Sequence, residues 1–134
     1  MIKTYRGSCH CGAVKFETEL DLALGTYKCN CSICAKTRYW GANVEPGAFR
    51  LLSGESALTD YRFNTRRMQI LFCKRCGVAP FTRGEGPEPG SPILSVNAAA
   101  LDNVSVSELV AGPVAYLDGL HDNWDNAPDE TRHL

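Results

Sequence analysis

The seven cysteines of this 134-residue chain fall into three tight groups, and no other feature limits the fold as strongly. The groups are Cys9-His10-Cys11-Gly12, Cys29-Asn30-Cys31-Ser32-Ile33-Cys34 and Phe72-Cys73-Lys74-Arg75-Cys76-Gly77, with no cysteine left over. A CxC or CxxC turn aims two sulfurs at one point and exposes backbone amides toward the thiolates, an arrangement suited to zinc. The glycines after Cys11 and Cys76 suit the conformation such a turn needs. For Cys73-Lys74-Arg75-Cys76 the competing reading is a thioredoxin-like redox pair. The absence of an alternating strand-helix-strand pattern argues against it. Buried inert thiols explain one or two cysteines but not this clustering. An odd number without a secretory signal argues against a disulfide framework.

Seven sulfurs divide naturally into four and three, although spacing alone leaves the pairing of the turns open. If Cys9, Cys11, Cys73 and Cys76 close one site, they join turns some sixty residues apart. Cys29, Cys31 and Cys34 would then hold a second zinc with only three protein sulfurs. An unfilled fourth position is what a catalytic zinc needs; a fourth ligand from His10, His121, His133 or a carboxylate would make this site structural too.

Between the cysteines the sequence reads as short strands. Residues 13–19 alternate strictly, with Val14, Phe16 and Thr18 on one face and Lys15, Glu17 and Glu19 on the other. Further β-rich segments fall at 49–52, 58–63, 68–72 and 93–96, separated by Gly, Pro, Asn and Ser. The pattern predicts a mainly β, antiparallel domain. Helix is expected only in two short pieces, one beginning after Ser32 as a cap and one around 105–110. Residues 84–92, rich in glycine and proline, are expected to form an exposed loop rather than a ladder. The polar tail, 118–134, has Trp124 as its main apolar anchor.

The length fits one domain with one core, residues 1–134. No apolar run reaches membrane-spanning length, and the first residues lack a signal-peptide hydrophobic stretch. These features predict a soluble, mature, cytoplasmic protein. A formal net charge of −1 gives no reason to expect nucleic acid or anionic membrane as a partner. Local clusters remain at Arg66-Arg67 and Lys74-Arg75.

The three cysteine groups, in their order and spacing, resemble the glutathione-dependent formaldehyde-activating enzymes, a family that includes the centromere protein V relatives. The matching segments are Gly7-Ser8-Cys9-His10-Cys11-Gly12-Ala13-Val14, Cys29 to Cys34 and Phe72 to Gly77, and the segment from Asp118 to Trp124 is similar to the tails of bacterial members. The resemblance implies a β-tent fold with two zinc ions. It implies a structural zinc on Cys9, Cys11, Cys73 and Cys76, and a catalytic zinc on Cys29, Cys31 and Cys34. The implied activity is that of a carbon–sulfur lyase, joining glutathione and formaldehyde to S-(hydroxymethyl)glutathione or reversing that step. The implied partner is a small thiol such as glutathione.

A free thiol is only about 3% thiolate at pH 7, so coordination to zinc raises that fraction by at most roughly 30-fold. A more acidic thiol is also a weaker nucleophile, so orientation must supply most of any acceleration. Three thiolates and one zinc sum to −1, and a substrate thiolate adds to that charge. Lys28, Lys36, Arg38 and Arg66-Arg67 are the candidate cations, each with solvated surface charge as its plainer reading. Tyr39 and Trp40 either wall the pocket or belong to the core. His121 is either an acid–base group or simply exposed. Besides a lyase, a non-catalytic zinc module that binds a partner and a redox or metal-handling protein using the trio fit the cysteines.

Overall fold

The computed structural model describes residues 1–86 and 88–134. Ten strands appear among the described residues. β1 (Lys3–Ser8), β2 (Lys15–Leu20) and β5 (Phe49–Ser53) form a three-stranded antiparallel sheet in the order β1-β2-β5. The other sheet has seven strands: β3 (Thr26–Cys29), β4 (Trp40–Asn43), β6 (Leu58–Tyr61), β7 (Met68–Cys73), β8 (Phe81–Glu85), β9 (Pro92–Asn97) and β10 (Val114–Leu117). Its order is β10-β3-β4-β9-β8-β7-β6. The molecule is thus mainly β. The expectation of antiparallel pairing holds for every pair except β10 with β3, which run parallel.

The alternation at 13–19 does what its period requires. Val14, Phe16 and Thr18 are fully buried, whereas Lys15 is exposed. Phe16 of β2 and Phe49 of β5 stack at 5.6 Å between ring centres, and Phe81 of β8 meets Phe49 at 4.7 Å. These three rings, with Leu71, Leu94 and Val96, form the apolar layer between the two sheets. The hydroxyl of Thr18 is buried in that layer and has no hydrogen-bond partner among the described residues.

Two short helices occur where helix was expected, but the first is capped differently. α1 (Ser32–Thr37) begins at Ser32 itself, and its cap is Cys31, which makes no side-chain capping bond. The Cys31 side chain is committed to the sulfur cluster, so the serine becomes the first helical residue. α2 (Val106–Leu109) has the full capping box, with Ser105 Oγ accepting from the Glu108 amide and the Glu108 carboxylate accepting from the Ser105 amide. Glu108 also receives hydrogen bonds from Lys3 Nζ at 2.8 Å and Tyr5 Oη at 2.9 Å, which ties α2 to β1.

The expected loop at 84–92 is shorter than its composition suggests. Gly84 pairs with Ile93 and Glu85 with Pro92, so the β8–β9 ladder runs further than expected. Pro92 is tolerated because it is the first residue of its strand. Pro87, within this segment, lies outside the described residues. Trp124, the expected apolar anchor of the tail, sets its ring against Gly119 while 54% of its surface stays exposed.

Candidate metal centres

The first and third cysteine turns meet. The sulfurs of Cys9, Cys11, Cys73 and Cys76 lie within 4.8 Å of one another, with Cys9 to Cys11 at 3.6 Å and Cys11 to Cys73 at 3.7 Å. A tetrahedron of zinc–sulfur bonds of about 2.3 Å separates its sulfurs by about 3.8 Å, so this spacing fits a four-thiolate ion. The two turns are built alike. Gly12 donates to the Cys9 carbonyl with φ at +81°, and Gly77 donates to the Cys73 carbonyl with φ at +80°. Both positions demand the left-handed conformation that glycine adopts at no steric cost. Cys9 follows β1 and Cys73 ends β7, so the cluster joins the three-stranded sheet to the seven-stranded one.

Acid–base behaviour at this cluster is uneven. Backbone amides, that of Cys11 first and then that of Val78, pull the Cys76 thiol down to about 6. Cys9 and Cys73 are buried, Cys76 is half-buried and Cys11 is exposed. A soft, charge-compensating cation suits four converging sulfurs better than four protonated thiols crowded together.

The middle turn supplies a separate group. Cys29, Cys31 and Cys34 also have their sulfurs within 4.8 Å of one another, and among the described residues no histidine or carboxylate joins them. Cys29 ends β3, Cys31 caps α1 and Cys34 sits in that helix. Thiol hydrogen bonds from Cys29 and then Cys34 hold Cys31 down at about 2, helped by the amides at the start of α1. The same bonds push Cys29 and Cys34 up. A divalent cation binding all three sulfurs would take them as thiolates, so its binding would be pH-dependent and would release protons.

The tail packs over this trio. β10 runs beside β3 with Leu117 opposite Cys29, and the chain then turns through Asp118 and Gly119. A Cβ added to Gly119 would lie 2.7 Å from Cys29 Sγ, 2.7 Å from the Trp124 ring and 3.1 Å from Cys31 Cβ. Asn30, between two of the cysteines, donates from Nδ2 to Asp118 Oδ1 at 2.8 Å and accepts from the Leu120 amide at 2.9 Å. Asp118 is 7% exposed and also bonds His121 Nδ1 at 2.8 Å. Its carboxyl is held below the ordinary carboxylate range by the Asn30 amide first and, despite its burial, by His121. The sequence singled out His121 but not Asn30, Asp118 or Gly119. Asn30 offered a signal, as an amide side chain enclosed within the cysteine turn.

Other expected residues fall in different places. His10 and His133 are exposed, and neither lies in a sulfur cluster. Lys28 lies over the Trp40 ring at 5.6 Å, and Lys36 is in the last turn of α1. Arg38 donates to the His133 carbonyl at 2.6 Å. Arg66 and Arg67 precede β7, at the end of that strand opposite to Cys73, and so do not serve the trio. Tyr39 is buried, its hydroxyl donating to the Ser95 carbonyl at 3.1 Å. Tyr27 is raised to about 12, by burial first, against the hydrogen bond of its hydroxyl with Ser95 Oγ at 2.8 Å, and by the charges of Cys34, Cys29 and Cys31. Trp40 is half-buried and donates to Thr26 Oγ1 at 2.7 Å.

Comparison with known proteins agrees with this architecture. A crystal structure of a Rhodobacter sphaeroides protein superposes with a TM-score of 0.69 at 32% identity, over 83% of this chain and 98% of that one. Residues 4–115 match the model of a family described as glutathione-dependent formaldehyde-activating enzyme, a span that contains all seven cysteines and stops before Asp118. On that match, and with the three cysteine turns gathered as a four-sulfur and a three-sulfur cluster, the chain belongs to the glutathione-dependent formaldehyde-activating enzyme family.

Proposed function

We propose that this protein is a zinc-dependent carbon–sulfur lyase acting on the adduct of a small thiol with an aldehyde, S-(hydroxymethyl)glutathione being the type substrate. In this reading Cys9, Cys11, Cys73 and Cys76 hold a structural zinc, and Cys29, Cys31 and Cys34 hold a catalytic one. The observation that carries it is the number of converging side chains. The trio offers three sulfurs where a tetrahedral zinc takes four donors. A zinc so held supplies a place for the adduct's sulfur and stabilises the thiolate that leaves.

The chain's own groups divide the remaining work. Trp124 and Gly119 border the Cys29 sulfur and give the adduct an apolar wall and a narrow approach. Asp118 fixes the His121 ring through Nδ1, which leaves Nε2 for the proton of the adduct's hydroxyl. Removing that proton lets the carbon–oxygen bond become a carbonyl as the carbon–sulfur bond breaks, its electron pair departing on sulfur. In the forward direction the same nitrogen returns the proton to the new hydroxyl oxygen. The protein acts as one domain in the cytoplasm, where thiols stay reduced, and all seven of its cysteines are free.

The test is titration of the zinc-loaded protein with glutathione, cysteine and coenzyme A, following heat and zinc X-ray absorption together. A fourth sulfur entering the shell of one zinc, and only one, is the expected result. Unchanged absorption and no heat with all three thiols would leave a non-catalytic zinc module as the better description.

A further inference from the structure

Four of the nine arginines of a chain with net charge −1 line a single groove at the end of the seven-stranded sheet opposite to the metal centres. Arg62, Arg66, Arg67 and Arg83 surround it, its volume is about 640 Å³, and Phe49 and Ile93 contribute an apolar side. That volume lies within the range of about 300–1,000 Å³ typical of small-molecule sites.

The arginines are not loose surface charges. A polar chain crosses three strands here. Asp60 Oδ2 accepts from Arg62 Nε at 3.0 Å and from Gln69 Nε2 at 2.7 Å, and Gln69 Oε1 accepts from Arg83 Nε at 3.0 Å. Arg83 is held by Nε alone, and among the described residues no carboxylate lies within salt-bridge distance of its guanidinium. The turn carrying Arg66 and Arg67 is fixed at both ends. The Arg66 amide donates to the Phe63 carbonyl at 2.9 Å, and the Arg67 carbonyl accepts from the Glu85 amide at 3.2 Å. Arg66 has φ at +61°, a costly conformation for a non-glycine residue that the anchored turn maintains. Neither Arg66 nor Arg67 forms an ion pair among the described residues, whereas Arg50, Arg62 and Arg132 all do.

Setting Glu85 in the lining and Asp60 beside Arg62 against the four guanidinium groups leaves a surplus of two positive charges. Planar guanidinium forks donate in pairs to the oxygens of a phosphate, and its several terminal oxygens accept from more than one fork at once, where the two of a carboxylate are taken up by a single fork. A single patch of this size fits one or two phosphates, not the long run of contacts by which a nucleic acid is held. We propose that the groove binds a small organic phosphate, its dianionic group between Arg66, Arg67 and Arg83 and its apolar body against Phe49 and Ile93. This site is separate from the cysteine clusters and does not rest on the lyase reading.

The experiment uses the full zinc-loaded chain and phenyl phosphate as the probe, with inorganic phosphate and a short single-stranded RNA alongside. Phenyl phosphate is expected to bind saturably, one per chain and more tightly than inorganic phosphate. Amide shifts should centre on Arg66, Arg67, Gln69 and Arg83. The double variant Arg66→Gln, Arg67→Gln should bind at least about tenfold more weakly, and Arg83→Lys, which keeps the charge but loses the fork, should also weaken binding. Zinc content and melting temperature should stay as in the parent, since these side chains are exposed. No saturable binding, shifts scattered over the other basic residues, or parental affinity in the double variant would overturn the proposal. Tighter binding of the RNA at the same residues would overturn the small-ligand assignment.

Discussion

Gly119 lies so close to Cys29 that a Cβ on the glycine would sit 2.7 Å from the cysteine sulfur, with the Trp124 ring equally near on another side. Neither obstacle is the end of a flexible chain, because Cys29 is held at the close of β3 and Trp124 donates from Nε1 to Asp122 at 2.7 Å. Gly119→Ala is therefore expected to push the tail off the trio while leaving the four-sulfur site and the fold intact. Zinc stoichiometry and thiol titration of this variant measure it: retention of two zincs with parental thiol affinity would mean that the tail is not part of the site.

The two clusters should respond differently to loss of a sulfur. Structural zinc binding is worth about 10–16 kcal/mol in small metallodomains, as much as the whole stability of an ordinary domain at about 5–15 kcal/mol. Cys73→Ser, which removes a fully buried sulfur of the four-sulfur cluster, should abolish cooperative folding. Cys34→Ser should keep the far-ultraviolet spectrum and one zinc per chain while losing activity. Equal destabilisation of both variants in thermal melts would contradict the division of labour.

His121→Gln should lower lyase turnover by about 10²- to 10⁴-fold, the usual contribution of a positioned acid–base group, with zinc content unchanged. Asp118→Asn keeps the shape but removes the charge that holds the His121 ring. It should lower turnover less than His121→Gln does, again with zinc content unchanged. Rates measured together with a zinc assay on each variant decide this.

Glu108 links acid sensitivity to the contact between β1 and α2. Hydrogen bonding from Lys3, then from the Ser105 amide and Tyr5, lowers its carboxyl from 4.5 to about 2. A group depressed on folding adds stability above its unfolded value and loses it as pH falls through the folded one. Glu108→Gln should thus be less stable than the parent at neutral pH, with the gap narrowing between about pH 4.5 and about pH 2. Taking the difference between the two proteins in urea unfolding removes the shared effect of acid on the cysteine clusters. A gap that stays constant across this range would rule the linkage out.

Thr18 places a hydroxyl without a partner in the layer between the sheets. An unsatisfied buried polar group is costly, and an apolar side chain of the same shape is not, so Thr18→Val should raise stability by about 1 kcal/mol. A fall in the urea midpoint instead would show that the hydroxyl is satisfied by bound water.

The short-range parts of this structure were legible because their causes lie within a few residues. The cysteine turns, the glycines that follow them, the strict alternation around Phe16 and the capping box at Ser105 each follow from local backbone and side-chain chemistry. Strands β3, β4 and β10 were not legible: each has only four residues, and, unlike β6, which lies in a longer β-rich segment, they stand beside a cysteine turn, a helix or Gly and Pro, while Gly41 and Asn43 in β4 are poor strand formers. By itself the sequence also determined that seven sulfurs would form small clusters, while family resemblance alone assigned the first turn to the third. Tertiary structure decided which sulfurs meet, since the end of β1 and the end of β7 converge only when the two sheets pack. It also decided what borders the trio. The parallel pairing of β10 with β3 sets Leu117 opposite Cys29 and so delivers Asp118 and Gly119 to that site. No local pattern encodes that placement, because a parallel neighbour is joined by a long crossover whose register depends on everything packed between.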